Sequence, residues 1–294
     1  MINIFSKIVK FKKMKLLFFI IVLVSFGFIE VNFAVAALPV ASSVNINSGA
    51  GPITLTEATT TNVVCSSTVT DADGYGDITS VEAKLYRTGV GAGVADDNNN
   101  HYTLAGDANC IPSGGSGTTE TYTCTFPVQY YADATDAGPY SADHWTCQVT
   151  PSDAVGAGTL ATTTQEVNSL SALNVTGTIA YGEIALGTNT GTTTQIAIVT
   201  NTGNRSIDVQ LSSAVDMACT VGVIPVANQK YAAAGFTYGT GDIALSATAT
   251  TLALTLPQRT DAEITANTYW GLAMPSSGVN GTCSGTNVFT AIAD

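Results

Sequence analysis

The stretch NVVCSSTVTDADGYGDITSVEAKLYR, residues 62 to 87, decides the fold class of this chain. Its centre fits a helix-loop-helix calcium loop, because Asp71, Asp73, Gly76, Ile78 and Glu82 occupy positions 1, 3, 6, 8 and 12 of that template. Tyr75 breaks the ligand series at position 5. The flanks weigh more: they alternate apolar and polar residues with the period of a strand, not of a helix. Val63, Cys65 and Val69 share one face before the loop, and Val81, Ala83 and Leu85 share one after it, leaving Glu82 beside Lys84 on the opposite face. The stretch therefore reads as two strands joined by a tight Asp/Gly loop, and the EF-hand is excluded.

The same alternation recurs outward from this stretch in short segments punctuated by Gly, Asn, Asp and Pro, with almost no helical periodicity. That pattern predicts an all-β chain built as a sandwich or barrel. Seven strands are expected up to about residue 168, the count of an immunoglobulin-type domain, with a long polar insertion at 89–120. A boundary near Ser169 to Leu173 precedes a second set of strands. The expected organisation is a signal segment at 1–36, a first immunoglobulin-like sandwich at 37–168 and a second at 169–294. NTGN at Asn201 to Asn204 and the Asn280-Gly281 pair are expected hairpin turns, since both offer residues that tolerate positive φ.

The N-terminus supplies the compartment. Lys7, Lys10, Lys12, Lys13 and Lys15 precede the apolar run Leu16 to Phe28, and small residues follow at Ala34 to Ala36, the layout of a secretory signal peptide cleaved near Ala36 or Ala37. Kept uncleaved, the same segment would be a membrane anchor. Five of the ten basic residues and one of the 22 acids leave with it, so the mature chain carries 21 acids against Lys84, Arg87, Arg205, Lys230 and Arg259. Such a balance repels nucleic acid and anionic lipid.

An even six cysteines, all beyond the signal segment, read as disulfides in an exported chain. The domain split leaves Cys219 with Cys283 by elimination. Cys65 and Cys147 lie on strands that an immunoglobulin-type sandwich places in opposite sheets, so a bridge between them would cross the core, with Cys110 and Cys124 as a local clamp. Pairing Cys65 with Cys124 and Cys110 with Cys147 stays open. The spacing resembles the immunoglobulin cysteine pair, although the core Trp of strand three is absent and Trp145 stands where that family has a Tyr.

Calcium is the one cofactor the sequence suggests. Asp71, Asp73 and Asp77, joined by Asp153 from the loop TPSDAVGAG at the same pole, form a candidate oxygen-ligand set. The competing account is that Asp caps the turn and Gly supplies positive φ. A second acidic run, YADATDAGPYSAD, puts Asp133, Asp136 and Asp143 at the opposite pole, nearer the second domain. ADDNNN at 95–100 reads as a solvated tip, and Tyr75, Tyr131 and Tyr140 as exposed aromatics able to stack on sugar. Asn174, Asn204 and Asn280 head glycosylation sequons. His101 and His144 have no metal spacing, and no nucleophile or phosphate-loop motif is present, so no catalysis is expected.

The second half, with IAYGEIALGTNTGTTTQIAIVTNTGNRSIDVQL and YWGLAMPSSGVNGTCSGTNVFTA, resembles immunoglobulin-like domains of bacterial and archaeal surface-layer and adhesin-like proteins. The TVTDADG turn of the first half resembles immunoglobulin-like and cadherin-like modules. The resemblance implies a secreted structural or adhesive component of a microbial cell surface, whose partners are an envelope component, a glycan or further copies of itself. A secreted glycan-binding module is the alternative.

Overall fold

The computed structural model describes residues 36–106 and 108–294. The signal-segment reading of residues 1–36 lies outside them, apart from Ala36.

The first half forms β1 (Val40–Ile46), β2 (Thr60–Thr70), β3 (Ser80–Arg87), β4 (His101–Ala105), β5 (Cys110–Pro112), β6 (Thr119–Gln129), β7 (Trp145–Ser152) and β8 (Ala161–Gln165). They make two four-stranded antiparallel sheets, ordered β1-β2-β6-β5 and β4-β3-β7-β8. The alternation around the opening loop is the cause. Val63, Cys65 and Val69 on β2 and Val81, Ala83 and Leu85 on β3 are all buried, and they meet Phe126, Trp145, Cys147 and Val149 in one core between the sheets. Two short parallel contacts, at Val40 with Thr159 and Ile53 with Val167, stitch the start of the chain to the far side of that core.

The second half forms β9 (Leu173–Thr176), β10 (Gln195–Asn201), β11 (Ile207–Ser212), β12 (Met217–Val221), β13 (Val223–Ile224), β14 (Gln229–Ala232), β15 (Ile243–Ala244), β16 (Thr250–Leu256), β17 (Thr265–Leu272), β18 (Asn280–Ser284) and β19 (Val288–Ala293). A five-stranded sheet, β15-β14-β17-β10-β9, and a three-stranded sheet, β16-β11-β19, bury Val199, Val209, Leu211, Tyr231, Leu252 and Trp270 in one core. The remaining sheet, β13-β12-β18, covers a small satellite core of Met217, Ile224, Leu272 and Val279. The protein is thus all-β, of sandwich type, with every pair of named strands antiparallel.

Several local expectations need correction. The insertion at 89–120 supplies β4 and β5, because Tyr102 and Cys110 are buried anchors within it. The NTGN run is not a hairpin: β10 pairs with β9 and β17, β11 with β16 and β19, and the run carries the chain from one sheet to the other. None of Asn201, Gly203 and Asn204 takes a positive φ. Gly203 is there for room, since a Cβ on it would lie 2.0 Å from the carbonyl oxygen of Leu170. Asn280 and Gly281 open β18 at an irregularity in its pairing with β12, and Gly281, at φ 84°, has the left-handed backbone a bulge uses. The segment ACTVGVIPV folds back on itself at Gly222 as the β12/β13 hairpin.

Candidate functional site

The loop from Asp71 to Ile78 leaves β2 and enters β3 at one pole, and the chain following β7 reaches the same pole. Thr79 donates both its N–H (2.8 Å) and its hydroxyl (3.1 Å) to the carbonyl of Ser152, next to Asp153. Two of the four acids are nonetheless occupied by main chain of their own turns. Asp71 is 0% exposed and its Oδ1 accepts the N–H of Asp73 at 3.0 Å, the geometry of a side-chain-closed turn. Asp153 Oδ1 accepts from Val155 and Gly156 at 2.7 and 2.8 Å. Asp73 and Asp77 are exposed. Among the described residues no group of three or more acids, histidines or cysteines is placed to hold a metal ion. Asp71 Oδ2 stays buried without a hydrogen-bond partner among those residues.

The opposite pole is where side-chain chemistry concentrates. Arg87, at the end of β3, donates from Nε to Asp133 Oδ2 at 3.0 Å and from a terminal nitrogen to Asp143, and lies 3.8 Å above the ring of Tyr140. Gln258 of the second half donates to Asp133 Oδ1 at 2.8 Å, so one carboxylate receives a donor from each half. Asn99 donates to the carbonyls of Tyr131 (3.0 Å) and Arg259 (2.9 Å), and the Arg259 guanidinium sits 4.8 Å over the ring of Tyr131. Asp136 accepts the N–H and hydroxyl of Ser169 in the connecting segment. Burial raises the Asp133 carboxyl above its ordinary value, against the opposing pull of Gln258 and Arg87. A guanidinium, part of the chain itself, thus pairs with two of the three acids of the YADATDAGPYSAD run.

This arrangement corrects two readings. The ADDNNN run is a solvated tip only over residues 95–98, which are exposed; Asn99 is buried, and its Nδ2 donates to the carbonyl of Tyr131 in its own half and to that of Arg259 across the junction. Tyr131 is not an exposed sugar platform: it is 4% exposed and packs edge-on against Tyr130. Tyr140 lies under Arg87, and Tyr75 lies against Gly115. The sequence signal for the junction was scarcity. Only five bases lie beyond residue 36, and two of them, Arg87 and Arg259, are here.

Cys65 is bonded to Cys147 across the first core, Cys110 to Cys124 between the paired strands β5 and β6, and Cys219 to Cys283 between β12 and β18. The three sequons differ sharply. Asn174 on β9 and Asn280 on β18 are exposed, whereas Asn204 is 1% exposed and its Nδ2 donates to the carbonyls of Ala132 (3.0 Å) and Asn168 (3.1 Å). His144 pairs with Glu166 at 2.6 Å and His101 with Asp96 at 3.0 Å, well apart in role and partner. Among the described residues no helix is long and apolar enough to cross a membrane.

These features define an all-β protein without a catalytic metal cluster among its described residues, in which several polar side chains join one half to the other. No family model matches the chain, and no curated protein matches it in sequence.

Proposed function

We propose that the protein is a non-catalytic, exported structural component of a microbial cell surface, built of two immunoglobulin-like sandwiches that act as one stiff unit. The observation that carries this reading is the junction. Asn99, Asp133, Gln258, Arg259 and Asn204 direct their donors and acceptors across or along it, three of them donating to main-chain carbonyls or a buried carboxylate. Side chains committed to fixing an angle between two β units serve a spacer or a lattice subunit. The acidic, base-poor surface fits export and keeps the chain off nucleic acid.

Electron microscopy of the purified protein, with and without millimolar calcium, tests the proposal. Sheets, filaments or rods of constant length are the expected result. Monomers that bend freely between halves, or that bind a glycan on an array, contradict it. A change of assembly with calcium would show that the protein takes up the cation, with Asp71 Oδ2, which has no hydrogen-bond partner among the described residues, as the candidate ligand.

A further inference from the structure

The three disulfides sit in different surroundings. Cys65, Cys147 and Cys110 are 0% exposed and Cys124 is 1% exposed, all inside the first core. Cys219 and Cys283 are only partly buried and lie at the margin of the satellite core. Their flanks are open as well: Ala218, Thr220, Thr282 and Ser284 are all exposed. An incoming thiolate must reach a sulfur along the S–S axis, so access selects which bond reacts. Charge adds to this selection. Asp216 is the only charged residue between Ser213 and Gln229, and none lies between Ala273 and Ala293, so on a strongly acidic protein these two strands are locally near neutral. An anionic sulfur nucleophile meets the least repulsion there.

The bond's place in the fold lets it open alone. It ties β12 to β18, and together with β13 these strands cover only Met217, Ile224, Leu272 and Val279. The main core of the second half is made by other strands and contains neither cysteine. Residues of the junction are likewise held by hydrogen bonds independent of this bond.

We propose that Cys219–Cys283 is a thiol–disulfide exchange site, a bond that an external dithiol of the thioredoxin or small-molecule type opens while the rest of the fold persists. The dithiol's thiolate attacks one of the two sulfurs, a new S–S bond forms, and the other cysteine leaves as a thiolate. The second thiol of the reductant then closes on the mixed disulfide and releases the remaining cysteine. The protein gains two electrons and two protons, and the dithiol ends as its own disulfide. The inference rests on burial and strand pairing and is independent of the surface role proposed above.

Stepwise reduction tests it. The purified oxidised protein is incubated with rising dithiothreitol in native buffer, quenched with an alkylating reagent and mapped by mass spectrometry. Cys219 and Cys283 should be labelled at concentrations about tenfold below those that label the other four, with the near-ultraviolet circular dichroism of the buried tryptophans retained. Labelling of Cys65, Cys147, Cys110 or Cys124 first, or of all six together with loss of that signal, overturns the proposal. A Cys219→Ser/Cys283→Ser variant separates lability from structural need. It should fold with two disulfides, keep the wild-type tryptophan signal and lose the early labelling step. Failure of that variant to reach the native spectrum would make the bond a structural staple and also overturn the proposal.

Discussion

Asn204 shows how a single side chain can be read in two ways from sequence and in one way from structure. As the head of an N-R-S sequon it is a modification site, and as the second Asn of N-T-G-N it is a turn residue. In the fold its Oδ1 accepts the N–H of Leu170 at 2.6 Å while its Nδ2 donates to Ala132 and Asn168, so every polar position is filled by main chain. A glycan on Nδ2 would displace one of those bonds and have no path to solvent. In a glycosylating host, glycopeptide mapping should find Asn204 unmodified while the exposed Asn174 and Asn280 remain open to the enzyme. Asn204→Ala leaves one buried N–H and two carbonyls without partners, and should cost about 3 kcal/mol in urea unfolding. Thr255 is the opposite case, a residue the fold tolerates at a cost. It holds φ at 45° where β16 bulges against β11, with its N–H and that of Leu254 both donating to Asp208 Oδ1 at 2.8 Å. A β-branched residue in the left-handed region carries roughly 1–2 kcal/mol of strain. Thr255→Asn, which tolerates that region, should raise stability by about 1 kcal/mol, read as a shift in the urea midpoint at unchanged m-value.

At the scale of elements, what the sequence made legible was whatever rests on local alternation. The β2 and β3 strands and the buried faces of Val63, Cys65, Val81 and Leu85 follow from a two-residue period that burial imposes on any strand with one side in the core. What stayed hidden depends on contacts remote in sequence. Nothing local in TGNRS tells a hairpin from a crossover between sheets; that choice is made by β17 and β16 arriving later to pair with β10 and β11. The Asp loop was equally ambiguous, because Asx-closed turns and calcium loops use the same residues. Gly158 illustrates a constraint of this long-range kind. A Cβ there would lie 1.9 Å from the carbonyl oxygen of Pro39, so only glycine lets β1 approach the strand end at Thr159, where Ala41 donates to Thr159 and Thr159 to Pro39, both at 2.9 Å. Gly158→Ala should therefore detach the start of β1. Hydrogen exchange should show the amides of Ala41 and Thr159 losing protection while those of β6 and β7 keep theirs, and a uniform loss would mean that this contact governs the whole first half.

At the scale of the molecule, the question is whether the two cores unfold as one. Residues 38–294 form one compact unit, yet the hydrophobic clusters do not merge across the middle, so cooperativity between them depends on a polar junction. Hydrogen bonds to buried partners there are each worth on the order of 1 kcal/mol net, and several acting together suffice to couple two marginally stable halves. Asn99→Ala with Gln258→Ala removes four hydrogen bonds, three of which cross between the halves, and calorimetry should then resolve two transitions where the unmodified protein shows one. The carboxylate at the centre sets the pH response. Because burial holds the Asp133 carboxyl above its ordinary value of 3.8, the folded protein binds this proton more tightly than the unfolded chain does. Its contribution to stability is therefore complete below that value and is lost as pH rises through the higher, folded value. This is the reverse of an ordinary surface aspartate paired with arginine, whose contribution disappears on acidification. Asp133→Asn keeps an acceptor for Gln258 and removes the titration. The difference in unfolding free energy, variant minus wild type, should then grow from pH 4 towards neutrality. If urea melts show that difference shrinking instead, attraction to Arg87 outweighs burial, and the junction is held by an ion pair rather than by hydrogen bonds that merely tolerate a charge.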